Sequence, residues 1–219
     1  MRRFRSKEEI IKRVVDCALL YMRNLAHKSV LFVTDSQDNS SGFEALFMPN
    51  NFKHLTGVAK DNINPVVFYN RAIGRKLSTR DITFDERGFA DMKLDVLQSL
   101  MNIHKTARMV GEFDGLSERI VADKFAGTTV SAMGFNLVNS LYVPVTALRE
   151  SVSNVTGKAS RSRVVAIFVK SKADILYKHI TYIARGISID DSFLAPVLKK
   201  KVDVTNIIAE FPVPRNPEQ

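Results

Sequence analysis

Histidine is the side chain in this sequence with the most obvious chemical use, because its unperturbed pKa lies close to neutrality. One of the four histidines, His54, lies in the run Asn-Phe-Lys-His-Leu-Thr-Gly-Val at 51–58. We interpret this run as the end of a strand, where alternation would place His54 and Thr56 on one face and Lys53 on the other. His54 is therefore a candidate proton donor or acceptor, and Lys53 and Thr56 are candidate nucleic-acid contacts.

The alternative for His54 is a core-facing, hydrogen-bonded strand residue. His27 and His104 fall at the ends of predicted helices, where a cation meets the negative end of the helix dipole. In the last predicted strand, period-two alternation puts His179 and Thr181 on one face. If that face is concave, His179 and Thr181 would complete a site with His54. The alternative is that the two residues lie at an exposed edge of the sheet.

A second set of candidates is basic and surrounds the segment 151–162, which is rich in Ser, Asn, Thr and Gly and is predicted to be an exposed loop. Lysine and arginine in such a loop hold phosphates without reading bases. Arg161 is our preferred candidate for stabilising transition-state charge, and a solvated loop is the alternative. The candidate nucleic-acid contacts of this region are Arg149, Lys158, Ser160, Ser162, Arg163 and Lys170.

Composition favours a polyanionic partner. Thirty-two Lys and Arg against 23 Asp and Glu give a net charge of +9, which suits RNA, although solubility or an anionic lipid surface would explain the same surplus. The single cysteine, Cys17, excludes an internal disulfide and a cysteine zinc cluster. No phosphate-loop, dinucleotide or His-Glu-x-x-His motif is present, so we expect no cofactor and no metal. No apolar run approaches the roughly 20 residues that span a bilayer, so we expect a cytoplasmic protein without a membrane partner.

Periodicity predicts the elements that must position these residues. A Ser-x-x-Glu capping box at Ser6 opens a helix to about His27, and Asn64-Pro65 opens another. The other predicted elements are a hairpin of 29–34 with 43–48, a helix over 90–104, and strands at 108–113, 120–125, 130–137, 141–145, 164–170 and 179–184. We therefore expect an α+β fold with N-terminal helices and a hairpin packed on a twisted antiparallel sheet. It would form one domain over 1–189, with a basic, Pro-containing extension over 190–219 that frays.

Several short motifs occur in an order that resembles a known family. They are the Asn-Phe-x-His-Leu-x-Gly run at 51–57, the aromatic-bearing helix with Phe68 and Tyr69, the Lys-Leu-Ser turn at 76–78, the apolar strand 164–168 and the closing strand 178–186. Over about residues 10–187 the chain resembles the phage-associated barnase-EndoU-colicin-RelE-like nucleases, in particular their fourth subgroup. The resemblance implies a fold of that type and metal-independent cleavage of RNA, with His54 as the matching histidine.

The sequence thus leads us to expect a metal-independent endoribonuclease that cleaves RNA in a basic cleft. His54, Arg161, Thr181 and His179 are the predicted catalytic residues. By resemblance, the protein would be a toxin or phage/host conflict effector with a neutralising partner protein. The rival hypotheses are a non-catalytic phage-related protein that binds nucleic acid or inhibits a host defence on the same scaffold, and a structural phage component.

Overall fold

The computed structural model describes residues 5–35, 42–83, 89–115, 121–188 and 194–210. The fold is mixed α/β, with a large sheet and helices. The helices in these ranges are α1 (Lys7–Asn24), α2 (Asn51–Thr56), α3 (Pro65–Ile73), α4 (Phe89–Leu100), α5 (Ile103–Thr106), α6 (Val152–Val155) and α7 (Pro196–Lys199). The strands are β1 (Lys28–Thr34), β2 (Gly42–Phe47), β3 (Met109–Glu112), β4 (Lys124–Gly127), β5 (Ala132–Val138), β6 (Leu141–Leu148), β7 (Ser162–Ser171), β8 (His179–Ile183) and β9 (Ile208–Ala209).

The sheet closes on itself. Its strand order is β1-β2-β6-β5-β4-β3-β7, and β1 also pairs with β7, which completes a ring. The other edge of β7 pairs with β3 near its start and with β8 further along, and β9 adds to β8. Most pairs are antiparallel, as expected, but β2 with β6 and β8 with β9 are parallel. The ring is narrowly joined at two places, because β2 pairs with β6 at Ala45 and Tyr142 and β3 pairs with β7 over two residues.

Local chemistry explains where the predicted helices begin. At α1 the Ser6 hydroxyl accepts from the Glu9 N–H at 3.2 Å, and the Glu9 carboxylate accepts from the Ser6 N–H at 2.7 Å, so the predicted capping box is confirmed. At α3 the Asn64 side chain caps the first turn, also as predicted. The predicted 90–104 helix is instead broken into α4 and α5 around Asn102. The Asn102 side chain donates to the Gln98 carbonyl oxygen at 3.2 Å, a local bond that competes with helix continuation.

The core lies on both faces of the sheet. On the inner face, the rings of Phe32, Phe43, Phe47 and Phe135 form a connected cluster, and Tyr21 of α1 packs against Phe47. Such aromatic pairs stabilise beyond their buried area. The inner face thus carries the main hydrophobic core and holds the helices against the sheet.

The outer face is covered by the C-terminal segment. Within 194–210, Leu194 and Leu198 are buried against β1 and β7, and the Lys201 ammonium binds the Glu44 carboxylate at 2.9 Å. The expected fraying is therefore wrong for this segment, because its apolar side chains have a surface to cover. The Pro-rich end at 212–217 lies outside the described residues. No helix in the part of the chain that the structure describes is long and apolar enough to cross a membrane.

Candidate active site at His54 and Lys93

His54 lies on a short helix, so the prediction that it ends a strand is wrong. The six residues of α2 follow β2 directly, and the Asn51 side chain accepts the Met48 N–H at 2.8 Å to form the connecting turn. Phe52 and Leu55, three residues apart, are both fully buried. This spacing is helical, and it leaves His54 on the exposed face of α2.

Lys53 and Thr56, the two predicted nucleic-acid contacts next to His54, have structural roles. Thr56 is fully buried, and its hydroxyl donates to the Lys53 carbonyl oxygen at 2.8 Å, so it is not exposed to a substrate. The Lys53 ammonium donates to the carbonyl oxygens of Ile63 at 2.7 Å and Asp61 at 3.0 Å. Lys53 therefore ties the following loop to α2, although its charge stays close to His54.

Lys93 of α4 lies against the end of the His54 helix, at Gly57. Gly57 ends α2 in the left-handed region, with φ of 67°. A Cβ added at Gly57 would lie 2.8 Å from Lys93 Cδ and 3.7 Å from Lys93 Nζ. Glycine is thus needed here both for the backbone conformation and for the lysine stem that crosses it. Within the described ranges, the Lys93 ammonium has no hydrogen-bond or ion-pair partner.

Both side chains have lowered pKa values. Partial desolvation lowers the pKa of His54 below 6.5, and the positive charges of Lys53 and Lys93 lower it further. Desolvation also lowers the pKa of Lys93 below 10.5. His54 is therefore neutral at pH 7 and able to accept a proton, while Lys93 holds a proton that it releases more readily than an ordinary lysine. Two titratable groups whose pKa values are perturbed and whose charges interact mark a candidate catalytic site.

Arg161 does not lie at this site. Its Nη2 donates to the carbonyl oxygens of Ser153 at 2.5 Å and Thr156 at 2.6 Å, and its Nε donates to the Thr156 carbonyl oxygen at 3.1 Å. These charge-assisted bonds close the loop around α6. The structure thus gives Arg161 a role in holding the loop, not the predicted position facing a substrate.

His179 and Thr181 do not join His54 either. Both lie on β8, and three strand spacings, on the order of 14 Å of sheet, separate β8 from β2. Thr181 is buried, and its hydroxyl donates to the carbonyl oxygens of His104 and Ile167. His179 is exposed, with Nδ1 3.7 Å from the Glu210 carboxylate. Thr181 and His179 thus have partners other than His54.

The remaining predicted contacts are scattered. Arg149 donates to the Asp95 carboxylate at 3.2 Å, and Lys170 binds the Ile175 carbonyl oxygen at 2.9 Å beside Glu44. Lys158 and Arg163 are exposed. Ser160 and Ser162 line a cavity of about 330 Å³ at the end of the inner sheet face, the place where a basic cleft was expected.

That cavity is not strongly basic in its described lining. Its lysine, Lys124, lies 3.4 Å from the Glu112 carboxylate, so one charge offsets the other. It opens where β2 begins, at Gly42 and Phe43, whereas α2 follows the other end of β2. The cavity and His54 are therefore at opposite ends of this strand.

A family comparison gives these features a context. The model of the family described as phage-Barnase-EndoU-ColicinE5/D-RelE like nuclease4 matches residues 13–186. Because this match covers most of the chain, the protein belongs to that family, and the resemblance inferred from the sequence motifs is confirmed. No curated protein and no solved structure matches the chain. Among the described residues, no three His, Cys, Asp or Glu side chains are grouped as metal ligands.

Lys93 was not predicted as a site residue from the sequence, although its spacing from the apolar residues of α4 could have indicated it. Ala90, Leu94 and Leu97 are buried on one face of α4, and Lys93 stands three residues after Ala90 and four before Leu97. A lysine at this spacing falls on the apolar face of an amphipathic helix. Desolvation of a lysine ammonium at such a position costs free energy of folding, which makes the lysine a candidate functional residue.

Proposed function

We propose that this protein is a metal-independent endoribonuclease in which His54 and Lys93 form the acid–base pair. The placement of the Lys93 side chain across Gly57 at the end of the His54 helix, where its charge acts on His54, carries the proposal, and the nuclease character of the family's name supports it. A barnase/EndoU/RelE-like arrangement of the sheet and helices, which the same name suggests, is part of the proposal.

The chemistry follows from the protonation states. Neutral His54 accepts the proton of a ribose 2′-hydroxyl, whose oxygen then forms a bond to the adjacent phosphorus. The bond from phosphorus to the 5′-oxygen breaks, and the Lys93 ammonium supplies the proton that this oxygen takes up. Before that transfer, the ammonium also stabilises the negative charge that develops on the phosphoryl oxygens. The products are a 2′,3′-cyclic phosphate and a 5′-hydroxyl.

The biological setting is proposed from the phage association in the family's name. We place the protein in the cytoplasm of a host cell, as a toxin or conflict effector held inactive by a neutralising partner protein. RNA is its substrate, and the net charge of +9 favours binding to this polyanion.

The test is cleavage of labelled total cellular RNA in the presence of a chelator. Wild type should cut the RNA, and His54→Ala should cut it about 10²- to 10⁴-fold more slowly, the usual contribution of a positioned base. The matched control is His27→Asn, because His27 is exposed with φ of 61°, a conformation that asparagine accepts readily.

His27→Asn should cleave at the wild-type rate. If wild type binds the RNA tightly but never cuts it, the protein is the non-catalytic binder of the rival hypothesis. If His54→Ala retains the wild-type rate, the assignment of His54 as the base is refuted.

A further inference from the structure

A small cavity with a cationic rim lies next to α2. Its volume is about 250 Å³, and it is lined by Lys60, Asn62, Ile63, Arg71, Arg80 and Asp81. Pockets that enclose drug-sized ligands span roughly 300–1,000 Å³, so this one suits a smaller group. Three of its lining residues are cations and one is an anion, which favours a small anionic ligand.

The cavity is mechanically connected to the His54 helix. Ile63 forms part of its wall, and the Ile63 carbonyl oxygen accepts from the Lys53 ammonium at 2.7 Å. Lys53 immediately precedes His54 on α2. The loop that shapes the cavity is therefore held by the residue next to the candidate base.

One cation of the cavity is held in a fixed orientation. Asp81 accepts from the Arg71 guanidinium, from the Ser78 N–H at 2.9 Å and from the Ser78 hydroxyl at 3.0 Å. Although desolvation acts in the opposite direction, the hydrogen bonds from Ser78 and Arg71 hold the pKa of Asp81 below its ordinary value. Asp81 thus stays ionised and fixes Arg71, whose side chain remains 47% exposed.

The other two cations are less constrained. Among the residues that the structure describes, neither Lys60 nor Arg80 has an ion-pair partner, and Arg80 is exposed at the rim. Lysine binds phosphate as a point charge and arginine binds it through a planar fork of donors. Together with the fixed Arg71, they make three cationic side chains that line one small cavity.

We propose that this cavity is a phosphate subsite, which holds the RNA backbone at a phosphate next to the one being cleaved. The proposal rests on the proposed function, because it assigns the substrate's neighbouring phosphate to a place beside His54. Contacts of this kind position the strand without reading its bases.

The experiment measures binding of labelled single-stranded RNA to the His54→Ala protein in chelator at several salt concentrations. Lys60→Gln and Arg80→Gln should each weaken binding several-fold, and each should reduce the slope of log K against log salt by about 0.7, the value for one phosphate contact on a single strand. Lys12→Gln and Lys172→Gln remove the same charge from exposed positions on α1 and after β7, and should leave binding and slope unchanged.

In the protein with His54 intact, the two cavity variants should raise KM and leave kcat nearly unchanged, because the contact is made equally before and during the reaction. Equal losses in all four lysine and arginine variants would show diffuse attraction and overturn the subsite. Unchanged binding in the cavity variants would overturn it as well.

The two proposals fail separately. If wild type does not cleave RNA but the cavity variants lose binding, the cavity still binds an RNA phosphate, whereas the nuclease proposal and the position of that phosphate next to a cleaved one both fall. If wild type cleaves RNA and the cavity variants keep their KM, the nuclease proposal stands and the subsite falls.

Discussion

Two regions of this protein are rich in cations, and they use their charges differently. In the loop 151–162, Arg161 is bound to backbone carbonyl oxygens, and Lys124 at the neighbouring cavity faces Glu112 at 3.4 Å. Around α2, Lys93 and Lys60 have no ion-pair partner among the described residues. The number of cations in a segment therefore does not show which of them are available to a substrate, and the proposed site is based instead on a desolvated cation beside a titratable group.

Of the substitutions that distinguish the two regions, we expect Lys93→Met to have the largest effect on the cleavage rate. Lys93→Met keeps an unbranched apolar stem over Gly57 and removes only the ammonium. Cleavage in chelator should fall about 10²-fold, comparable to the loss of one charge-stabilising donor. Single-turnover cleavage measures the loss, with Lys12→Met on the exposed face of α1 as the control.

The free energy of unfolding of Lys93→Met should not decrease, because a partly desolvated ammonium with no ion-pair partner among the described residues does not stabilise the fold. A Lys93→Met protein that cleaves at the wild-type rate would remove Lys93 from the site.

At Arg161 we expect the opposite of the result at Lys93: a loss of stability without a loss of activity. Arg161→Gln removes charge-assisted bonds to the Ser153 and Thr156 carbonyl oxygens, so the free energy of unfolding should fall by about 2 kcal/mol. The kcat of the folded protein should stay the same. Urea unfolding and cleavage well below the melting temperature measure the two quantities.

Arg163→Gln changes a neighbouring exposed arginine and should leave stability nearly unchanged. If Arg161→Gln were instead fully stable but inactive, the loop would be catalytic and the contrast between the two regions would disappear.

His54 and His104 both have a lowered pKa, but His54 is exposed at the candidate site whereas His104 is buried. His104 is 5% exposed, and burial, with the charges of Lys105 and Lys28, lowers its pKa to about 3. The unfolded chain binds a proton near pH 6.5, whereas folded His104 does not. Its contribution to stability is therefore complete above that pH and is lost as the pH falls, by about 2 kcal/mol between pH 7 and 5.

Urea unfolding at the two pH values measures this loss, and His104→Leu should show a smaller one. Equal pH dependence in both proteins would show that His104 is not held neutral by the fold.

The smallest expected effect of Lys93→Met is a shift in the pH dependence of the cleavage rate. The wild-type rate should rise with pH through the pKa of His54, below 6.5, and fall at high pH through the pKa of Lys93, below 10.5. In Lys93→Met, the rising limb should move to higher pH, because a neighbouring positive charge is lost, and the falling limb should disappear. A rising limb that does not move would show that Lys93 exerts no field on His54.

Sequence reasoning succeeded where a few neighbouring residues determine the structure. The Ser6–Glu9 capping box predicted the start of α1, and Asn64-Pro65 predicted the start of α3. The strands of the β1–β2 hairpin were also predicted nearly to their ends. In each case the information lies within one turn of helix or one pair of adjacent strands.

It failed where the information is spread across the chain. Helix α2 has only six residues, too few to distinguish a helical from a strand pattern, although Gly57 is a common helix-ending residue. The pairing of β1 with β7 joins residues as distant as Lys28 and Ser171, and no local pattern encodes it. The contact of Lys93 with the end of α2 depends on such tertiary packing, so the sequence predicted His54 as a candidate and did not predict Lys93.

The most direct test of the central claim is a double-mutant cycle on RNA cleavage in chelator, with His54→Ala, Lys93→Met and the double variant. Groups that act as one unit lose nearly all their effect when either is removed. We therefore expect the double variant to cleave at about the rate of His54→Ala alone. Multiplied losses, in which the double variant is slower by the product of the two single effects, would contradict the account and show that His54 and Lys93 act independently.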